Sequence, residues 1–502
     1  MGSLEGLLYG LSIALTLENV LAALAGAVIG TFVGVLPGLG PIGAIAMMLP
    51  TTAALRPDTA LIMLSGIYYG SMYGGSTTSI LINVPGEIAS VVTTIDGYEM
   101  AKAGRAGVAL AVAAIGSFVA GTLGVVALML FAPPLADLAL SFGPPEYCTI
   151  ALLGLFTLSK LSSGSFWKAL LVLALGLALA TVGMDLVSGT PRYNFGVIRL
   201  GQGIELVPVV MGLYGVAEVL TIAEEGGGLP QLTRVGLRDL LPTRTDWQRA
   251  LPAWLRGSAV GFFAGLIPGP ATVVATYVSY KVERLFTKRP EEFGHGAVEG
   301  VAGPEAANNS ASSGAMVPLL SLGVPFAPVP AILLAALMIQ GVQPGPLLIQ
   351  QHPEVFWGVI ASMYVGNLAL LILNLPLVGM WVSVLRIPQP ILLASILTFM
   401  MVGAYSVNNS MLDLAVVLVA GVVGYVFRKL KFDVSPLVLA LVLGPMIEKT
   451  FRQSLYMSQG DLFVFFNRPI SGVVLFILLA VLLFPLFRYL LMGRRRRRES
   501  KV

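Results

Sequence analysis

The sequence predicts an all-α polytopic membrane protein, built as two inverted-topology repeats with broken helices or re-entrant hairpins and about 11–14 membrane segments. Three observations predict it. Of the 502 residues, 56% are hydrophobic and 11% charged, whereas roughly a quarter of a soluble globule's residues carry charge. Two long stretches hold no charged residue, 27 residues from Ala106 to Ala132 and 31 from Val355 to Leu385. Each exceeds the ~20 residues that a helix needs to cross ~30 Å of hydrocarbon. Finally, Gly26-x3-Gly30-x3-Gly34-x2-Pro37-Gly38 is repeated as Gly257-x3-Gly261-x3-Gly265-x2-Pro268-Gly269 at an offset of 231, with Phe32 matching Phe263. A single GxxxG is a weak sign of close helix packing, but a doubled one that ends in the same Pro-Gly argues for duplication. A closed barrel is excluded, because its ~10-residue segments would alternate apolar and polar side chains.

Along the chain, residues 1–19 read as a short amphipathic or peripheral segment. Glu5 and Glu18 precede any Lys or Arg, so the basic n-region of a secretory signal is missing and the segment is expected to be retained. The first membrane repeat is assigned to residues 1–222, with spans near 106–132, 143–160, 166–186 and 203–222. A basic cytoplasmic linker follows at 223–256, containing Arg234, Arg238, Arg244, Arg249 and Arg256. The second repeat covers 257–450, with spans near 330–350, 355–385, 391–412 and 414–427 and a short broken segment at 434–450 that contains Pro436, Gly444 and Pro445. Residues 451–502 supply a last span near 470–491 and an arginine-rich cytoplasmic tail.

A second echo pairs Ile80-Leu-Ile-Asn-Val-Pro85 with Leu320-Ser-Leu-Gly-Val-Pro325 at offset 240, the extra length being taken up by the charged loop 281–295. The first motif copy is entered from a segment without Lys or Arg, the second from the basic linker. Cationic loops stay in the cytoplasm, so the two copies are expected to enter the bilayer from opposite sides.

The net charge of +4 comes from the tail, where residues 494–502 carry +5 and the remainder of the chain −1. Arginines directly behind an apolar segment anchor it at anionic headgroups, and no nucleic-acid surface is implied. Cys148 is the single cysteine, so neither an intrachain disulfide nor a thiolate metal cluster can form. His295 and His352 are the only histidines, and neither HExxH nor Gly-x-Gly-Asp occurs. These absences disfavour an intramembrane enzyme.

Proline and glycine inside an apolar run free backbone groups that are tolerated at membrane depth only against protein or a wet cavity. Such interruptions are expected at Pro37-Gly-Leu-Gly-Pro41, Gly74-Gly-Ser-Thr-Thr78, Pro268-Gly-Pro270, and from Gly303-Pro304 to Gly314. A half-helix that begins at Ser76 or Thr77 would aim N–H groups at an anion, with hydroxyls of Ser76, Thr77 and Thr78 adding donors. The expected substrate-binding set is Pro37, Gly38, Gly40, Ser76, Thr77, Thr78, Asn83, Pro268, Gly269, Asn308, Asn309, Ser310, Ser312 and Ser313. Asn83, Asn308 and Asn309 offer amide oxygens suited to sodium, a hard cation. Glu87, Asp96, Glu299 and Glu305 are the nearest acids, and a carboxylate at membrane depth is a functional hypothesis by default. Bland readings compete: Asp96 lies in a polar stretch that reads as an interfacial loop, and Glu305 follows Pro304 as a residue favouring a helix start would.

The run Tyr69-Gly-Ser-Met-Tyr-Gly-Gly-Ser-Thr-Thr-Ser-Ile-Leu-Ile-Asn-Val-Pro-Gly-Glu-Ile-Ala-Ser90, continued by Asp96-Gly-Tyr98 and Gly104-Arg-Ala-Gly107, resembles the large membrane subunit of the bacterial tripartite tricarboxylate transporters. Pro290-Glu-Glu-Phe-Gly294, residues 299–309 and Gln343-Pro-Gly-Pro-Leu347 are similar to that family's second-half signatures. The resemblance covers nearly the whole chain. It implies a multi-pass subunit in the bacterial inner membrane, importing a di- or tricarboxylate with a coupling cation, sodium or proton, and no other cofactor. Its implied partners are a small membrane subunit and a periplasmic solute-binding protein. The likeness also places the site on the two Pro-Gly elements, Ser76 to Thr78, Asn83, and Asn308 to Ser313. This chain departs from the family at Phe326-Ala-Pro-Val-Pro330 and Ile42-Gly43, where hydroxyls are common, which suits a carboxylate smaller or more apolar than citrate. The rival readings are a stand-alone carrier or channel for organic anions and, behind it, a membrane enzyme.

Overall fold

The computed structural model describes residues 2–36, 40–161, 165–185, 188–225, 236–384 and 387–482. Pro37 and Gly38, the stretch 226–235 that holds Arg234, and the arginine tail lie outside the described residues. Ser3–Ala14 (α1) precedes Leu17–Val35 (α2), Gly40–Thr52 (α3) and Pro57–Ile82 (α4). A 3-10 turn at Ile88–Ser90 opens into Val91–Met100 (α5), and a wide turn at Ala101–Arg105 leads to Ala106–Ala139 (α6), Pro144–Leu161 (α7) and Phe166–Ala180 (α8). A small antiparallel hairpin pairs Gly183 with Arg192. Leu206–Val210 (α9) continues through a π turn, Met211–Val216, into Ala217–Glu225 (α10).

The second half runs through Arg244–Gly265 (α11), Ala271–Phe286 (α12), Val298–Leu322 (α13), Pro328–Ile339 (α14), Leu348–Gln351 (α15) and Pro353–Asn374 (α16). It closes with Val378–Val384 (α17), Gln389–Asn408 (α18), Met411–Lys429 (α19), Ser435–Met457 (α20), Val464–Asn467 (α21) and Pro469–Leu482 (α22). Five described segments are long and apolar enough to span a bilayer, at 17–35, 88–139, 206–224, 353–374 and 411–429, and four shorter apolar helices accompany them. The chain is an all-α multi-pass membrane protein.

The two copies of the glycine motif make the same contact. A Cβ on Gly26, Gly30 or Gly34 of α2 would collide with the carbonyls of Met63, Ile67 or Ser71 on α4. On α11, the same addition at Gly257, Gly261 or Gly265 would strike the carbonyls of Gly303, Ala307 or Ala311 on α13. The three partner carbonyls of α13 are those of α4 advanced by 240 residues, the offset of the Val-Pro echo. Both long helices then end alike. Asn83 (φ 57°) and Gly323 (φ 68°) adopt the left-handed conformation that closes a helix; each is followed by Val-Pro, which cannot continue one. Each Val-Pro interruption also lies against the segment at the end of its half's glycine helix. Gly269 N donates to Phe326 O at 2.9 Å, and a Cβ on Gly86 would collide with the carbonyl of Gly34.

The pair at the centre is not the most apolar. Every residue of α13, and of α4 from Asp58 to Leu81, is buried. The lipid-like hydropathy that marks spans in the sequence belongs instead to helices such as α19, of which 28% is buried. The halves interlock: α3 packs on α14, and α12 packs on the turn that opens α5.

Several expectations are corrected. Gly74 to Thr78 do not break the chain, since α4 passes through them, and α13 likewise passes through Gly303-Pro304 to Gly314. The glycines serve close approach: Gly74 lies against Gly34 Cα, and Gly314 against Gly265 Cα. The true interruptions fall later, at residues 83–87 and 323–327. Residues 434–450 form an unbroken part of α20 despite Pro445. The stretch 355–385 is split between α16 and α17, and the segment near 330–350 is the shorter α14 followed by loop and α15. The end of the basic linker is helical from Arg244, capped by Thr243, whose Oγ1 accepts from Asp246 N while Asp246 Oδ2 accepts from Thr243 N at 3.0 Å.

Gly261→Ala sets a methyl group on the Ala307 backbone and is expected to cost about 1–3 kcal/mol. Gly366→Ala, on α16 with open space around it, is expected to be neutral or stabilising by up to ~1 kcal/mol. Thermal midpoints of the detergent-solubilised variants check both.

Candidate functional site

The polar residues of α13 are positioned first by its N-terminus. Asp96 on α5 is fully buried; its Oδ1 accepts the backbone N–H groups of Gly294, Gly296 and Ala297 at 2.9, 2.9 and 2.8 Å. Its Oδ2 accepts Tyr280 Oη–H at 2.9 Å. A carboxylate satisfying the free donors ahead of a helix is favoured by the helix dipole as well as by the hydrogen bonds. Here it also ties one half of the chain to the other. The expected interfacial loop is thus a buried clasp on a helix.

Behind the clasp lies a charge-paired layer. Arg249 Nε donates to both oxygens of Glu299 at 2.9 and 3.0 Å, and its Nη2 lies 2.6 Å from Glu292 Oε2. Arg256 pairs with Glu283, and Arg105 Nη2 lies 2.5 Å from Asp246. Burial opposes ionisation of Glu292, yet hydrogen bonds from Arg249 and Arg289 hold its carboxyl below the ordinary range. Arg249 and Arg256 are therefore neutralised by acids of the second half rather than free as loop charges.

Two turns deeper the pairing changes character. Ser76 Oγ donates to Glu305 Oε2 at 2.5 Å, and Thr93 Oγ1 donates to Glu305 Oε1. Asn308 Nδ2 donates to Glu87 Oε1 at 2.7 Å. Asn309 Nδ2 donates to Ser117 Oγ at 2.7 Å and to the Glu305 carbonyl at 3.0 Å. Glu305 is 1% exposed and Glu87 9%, and among the described residues neither has a Lys, Arg or His within ion-pair distance. Two carboxylates thus sit in the protein interior on hydroxyl and amide donors alone. Burying charge this way is costly unless a proton or cation joins it.

The structure divides the expected site residues. Ser76, Asn308 and Asn309 meet at the crossing of α4 and α13. Thr77 and Ser313 are buried beside it, while Thr78, Ser310 and Ser312 spend their hydroxyls on backbone carbonyls, those of Gly75, Ser258 and Asn309. The expected half-helix N-terminus at Ser76 or Thr77 does not exist, because their N–H groups lie within the continuous α4. Gly40 (φ 57°) opens α3, and the buried Pro268 and Gly269 (φ 144°) precede α12; Pro37 and Gly38 fall outside the described residues. Asn83 is exposed as the cap of α4, so it does not join Asn308 and Asn309, and the three do not form one set of cation ligands. The sequence reading missed Tyr73, Thr93, Ser117 and Asn374. Ser117 could have been found as a polar residue inside an uncharged apolar run.

Beside Ser76 the crossing encloses a cavity of about 10 Å³, lined by Tyr73, Ser76, Thr77, Leu110, Ala113, Ala114, Ser117 and Asn374. That is room for one water-sized guest and not for an organic acid.

A family profile described as the tripartite tricarboxylate transporter TctA family matches residues 20–439. The chain is similar to an Agrobacterium vitis protein described as an uncharacterized 52.8 kDa protein in the TAR-I ttuC' 3' region, 46% identical over 452 residues and 90% of each chain. It is also similar to a second protein of that organism, described as an uncharacterized protein in the TAR-II ttuC' 3' region. The two are 46% identical over 215 residues, 43% of this chain and 89% of the other. No solved structure matches.

Asp96→Ala strips three backbone donors of their acceptor, and each hydrogen bond to a charged group is worth about 1.5–3 kcal/mol. The variant is expected to unfold at least 5 °C below wild type in a detergent melt, and Asp96→Asn, which keeps one acceptor oxygen, to fall between the two.

Proposed function

The chain belongs to the tripartite tricarboxylate transporter TctA family, and from that premise we propose that it is the large membrane subunit of a cation-coupled importer of a di- or tricarboxylate. The observation that carries the reading is the crossing of α4 and α13, where Glu87, Glu305, Asn308 and Ser76 are buried with no cationic side chain in ion-pair reach among the described residues. A structural core has no use for such a pair; a carrier that must take up and release cations does.

The two carboxylates repel an anion, so the substrate site lies away from them, at the N-termini of α3 and α12. These helices begin at Gly40 and Ala271, and helix N-termini next to freed backbone are seats for a carboxylate. Packing is reciprocal between the halves, α3 on α14 and α12 on the turn before α5. The Phe326 ring lies against Gly154 in an apolar cluster that includes Ile150, Leu155 and Leu443, while its carbonyl receives Gly269. That position anchors the second Pro-Gly element and offers the substrate no hydroxyl, in keeping with a less polar acid than citrate.

The duplicated packing, together with the basic approach to the second copy, supports inverted halves that exchange access by moving around the fixed crossing. An inward negative potential opposes each net anionic charge by ~2.3 kcal/mol per 100 mV, so cotransported cations must at least neutralise the substrate. A small membrane subunit in the inner membrane and a solute-binding protein in the periplasm complete the system, the chain itself acting as carrier and not as enzyme.

The test is uptake of labelled di- and tricarboxylates by proteoliposomes that hold the chain with its small subunit, with binding protein supplied outside. Ser76→Ala and Asn308→Ala are each expected to lower the initial rate at least tenfold at unchanged protein level. Wild-type rates in both variants would remove the crossing from the mechanism, and uptake independent of the binding protein would favour a stand-alone carrier.

A further inference from the structure

The small cavity beside the crossing has a wall chemistry that its size alone does not explain. Five of its lining residues carry side-chain oxygens: Tyr73, Ser76, Thr77, Ser117 and Asn374. Most of their polar hydrogens are already committed elsewhere. Tyr73 Oη–H goes to Asn367 Oδ1 at 2.5 Å and Ser76 Oγ–H to Glu305. Asn374 Nδ2 is held by the Leu370 carbonyl at 3.0 Å and by Thr31 Oγ1 at 3.4 Å. That fixes the amide and leaves Asn374 Oδ1 buried without a hydrogen-bond partner, on a residue only 4% exposed. The Thr77 hydroxyl makes no hydrogen bond to a described residue, and Ser117 Oγ accepts from Asn309. The polar wall atoms are thus oxygens, Asn374 Oδ1 among them without a donor, and the Thr77 and Ser117 hydroxyls can rotate to offer lone pairs.

Two features extend the point. Asn374 is the last residue of α16, where the chain unwinds before α17, so the amide stands at a helix C-terminus, the end whose dipole favours positive charge. Glu305 lies one hydroxyl away, through Ser76, with no cationic side chain in ion-pair reach among the described residues. Oxygen ligands with a nearby carboxylate suit a hard cation. No group of three or more His, Cys, Asp or Glu occurs among the described residues that could hold a metal ion, so the charge available fits a monovalent ion better than a divalent one.

We propose that this cavity is a binding site for one sodium-sized monovalent cation, held by Asn374 Oδ1 and the oxygens of Thr77, Tyr73, Ser76 and Ser117, with Glu305 as its counter-charge. As a coupling site it rests on the reading of the chain as a cation-driven carrier; as a cation site it does not. Glu305 and Ser76 link the ion to α13 and α4 together, so its arrival and departure bear on the crossing about which the halves move.

The experiment measures binding and transport separately. The thermal midpoint of the purified full chain is followed as NaCl replaces choline chloride or KCl at constant ionic strength. Wild type is expected to rise saturably with sodium alone. Asn374→Ala and the near-isosteric Thr77→Val are each expected to need at least tenfold more sodium for the same rise, and Asn374→Asp, which keeps the oxygen, to retain it. In proteoliposomes Asn374→Ala is expected to raise the sodium concentration for half-maximal uptake at least tenfold, with the maximal rate recovered at saturation. A wild-type midpoint indifferent to sodium, as for a cavity that holds only water, overturns the site, as does undiminished sodium affinity in both Asn374→Ala and Thr77→Val. Sodium binding intact in a chain that transports no carboxylate would overturn the transport reading and leave the site standing.

Discussion

Backbone pressed against backbone is the contact on which this protein depends. Where glycines of α2 and α11 admit the carbonyls of α4 and α13, two helices rich in hydroxyls, amides and carboxylates are drawn into the middle of a protein whose outer helices face lipid. Between apolar helices in a bilayer there is no hydrophobic drive to associate, so close van der Waals approach and interhelical hydrogen bonds must hold them. Small residues supply the first. The polar faces of α4 and α13 supply the second, in Ser76 to Glu305 and Asn308 to Glu87.

A division of labour follows among the acids. Asp96, Glu299 and Glu283 are saturated by backbone N–H groups or by Arg249 and Arg256, and they fix the N-terminal end of α13. Among the described residues, Glu87 and Glu305 receive only neutral donors. The first group serves rigidity and, under the proposed function, the second exchanges a positive partner, although all five are buried. Distance along α13 separates the roles, with Glu299 in the first turn and Glu305 near its middle.

The proposed anion and cation sites would answer opposite electrostatic needs. An anion is favoured at the helix N-termini of α3 and α12, and a cation beside carboxylates and at the C-terminal end of α16. Under the proposed function, that separation lets the pair α4 and α13 respond to both.

The sequence by itself determined the class, the duplication and the identity of the packing glycines, because apolar composition and fixed spacing are properties of the chain alone. It also named the Pro-Gly elements, Ser76, Asn308 and Glu305. It misplaced two interruptions, since Gly74-Gly75 and Gly303-Pro304 look like helix breakers until the groups pressed against those glycines are present, the Thr31 carbonyl and the Glu87 and Glu283 side chains. Only the tertiary structure decided which polar groups meet. Asn83 turned out to be an exposed cap, Asp96 a clasp, and Ser117 and Asn374, isolated among apolar residues, became walls of one cavity. The physical reason is that a hydrogen-bonding or ion-binding partner more than 200 residues away, as Glu305 is from Ser76, leaves no trace in local periodicity.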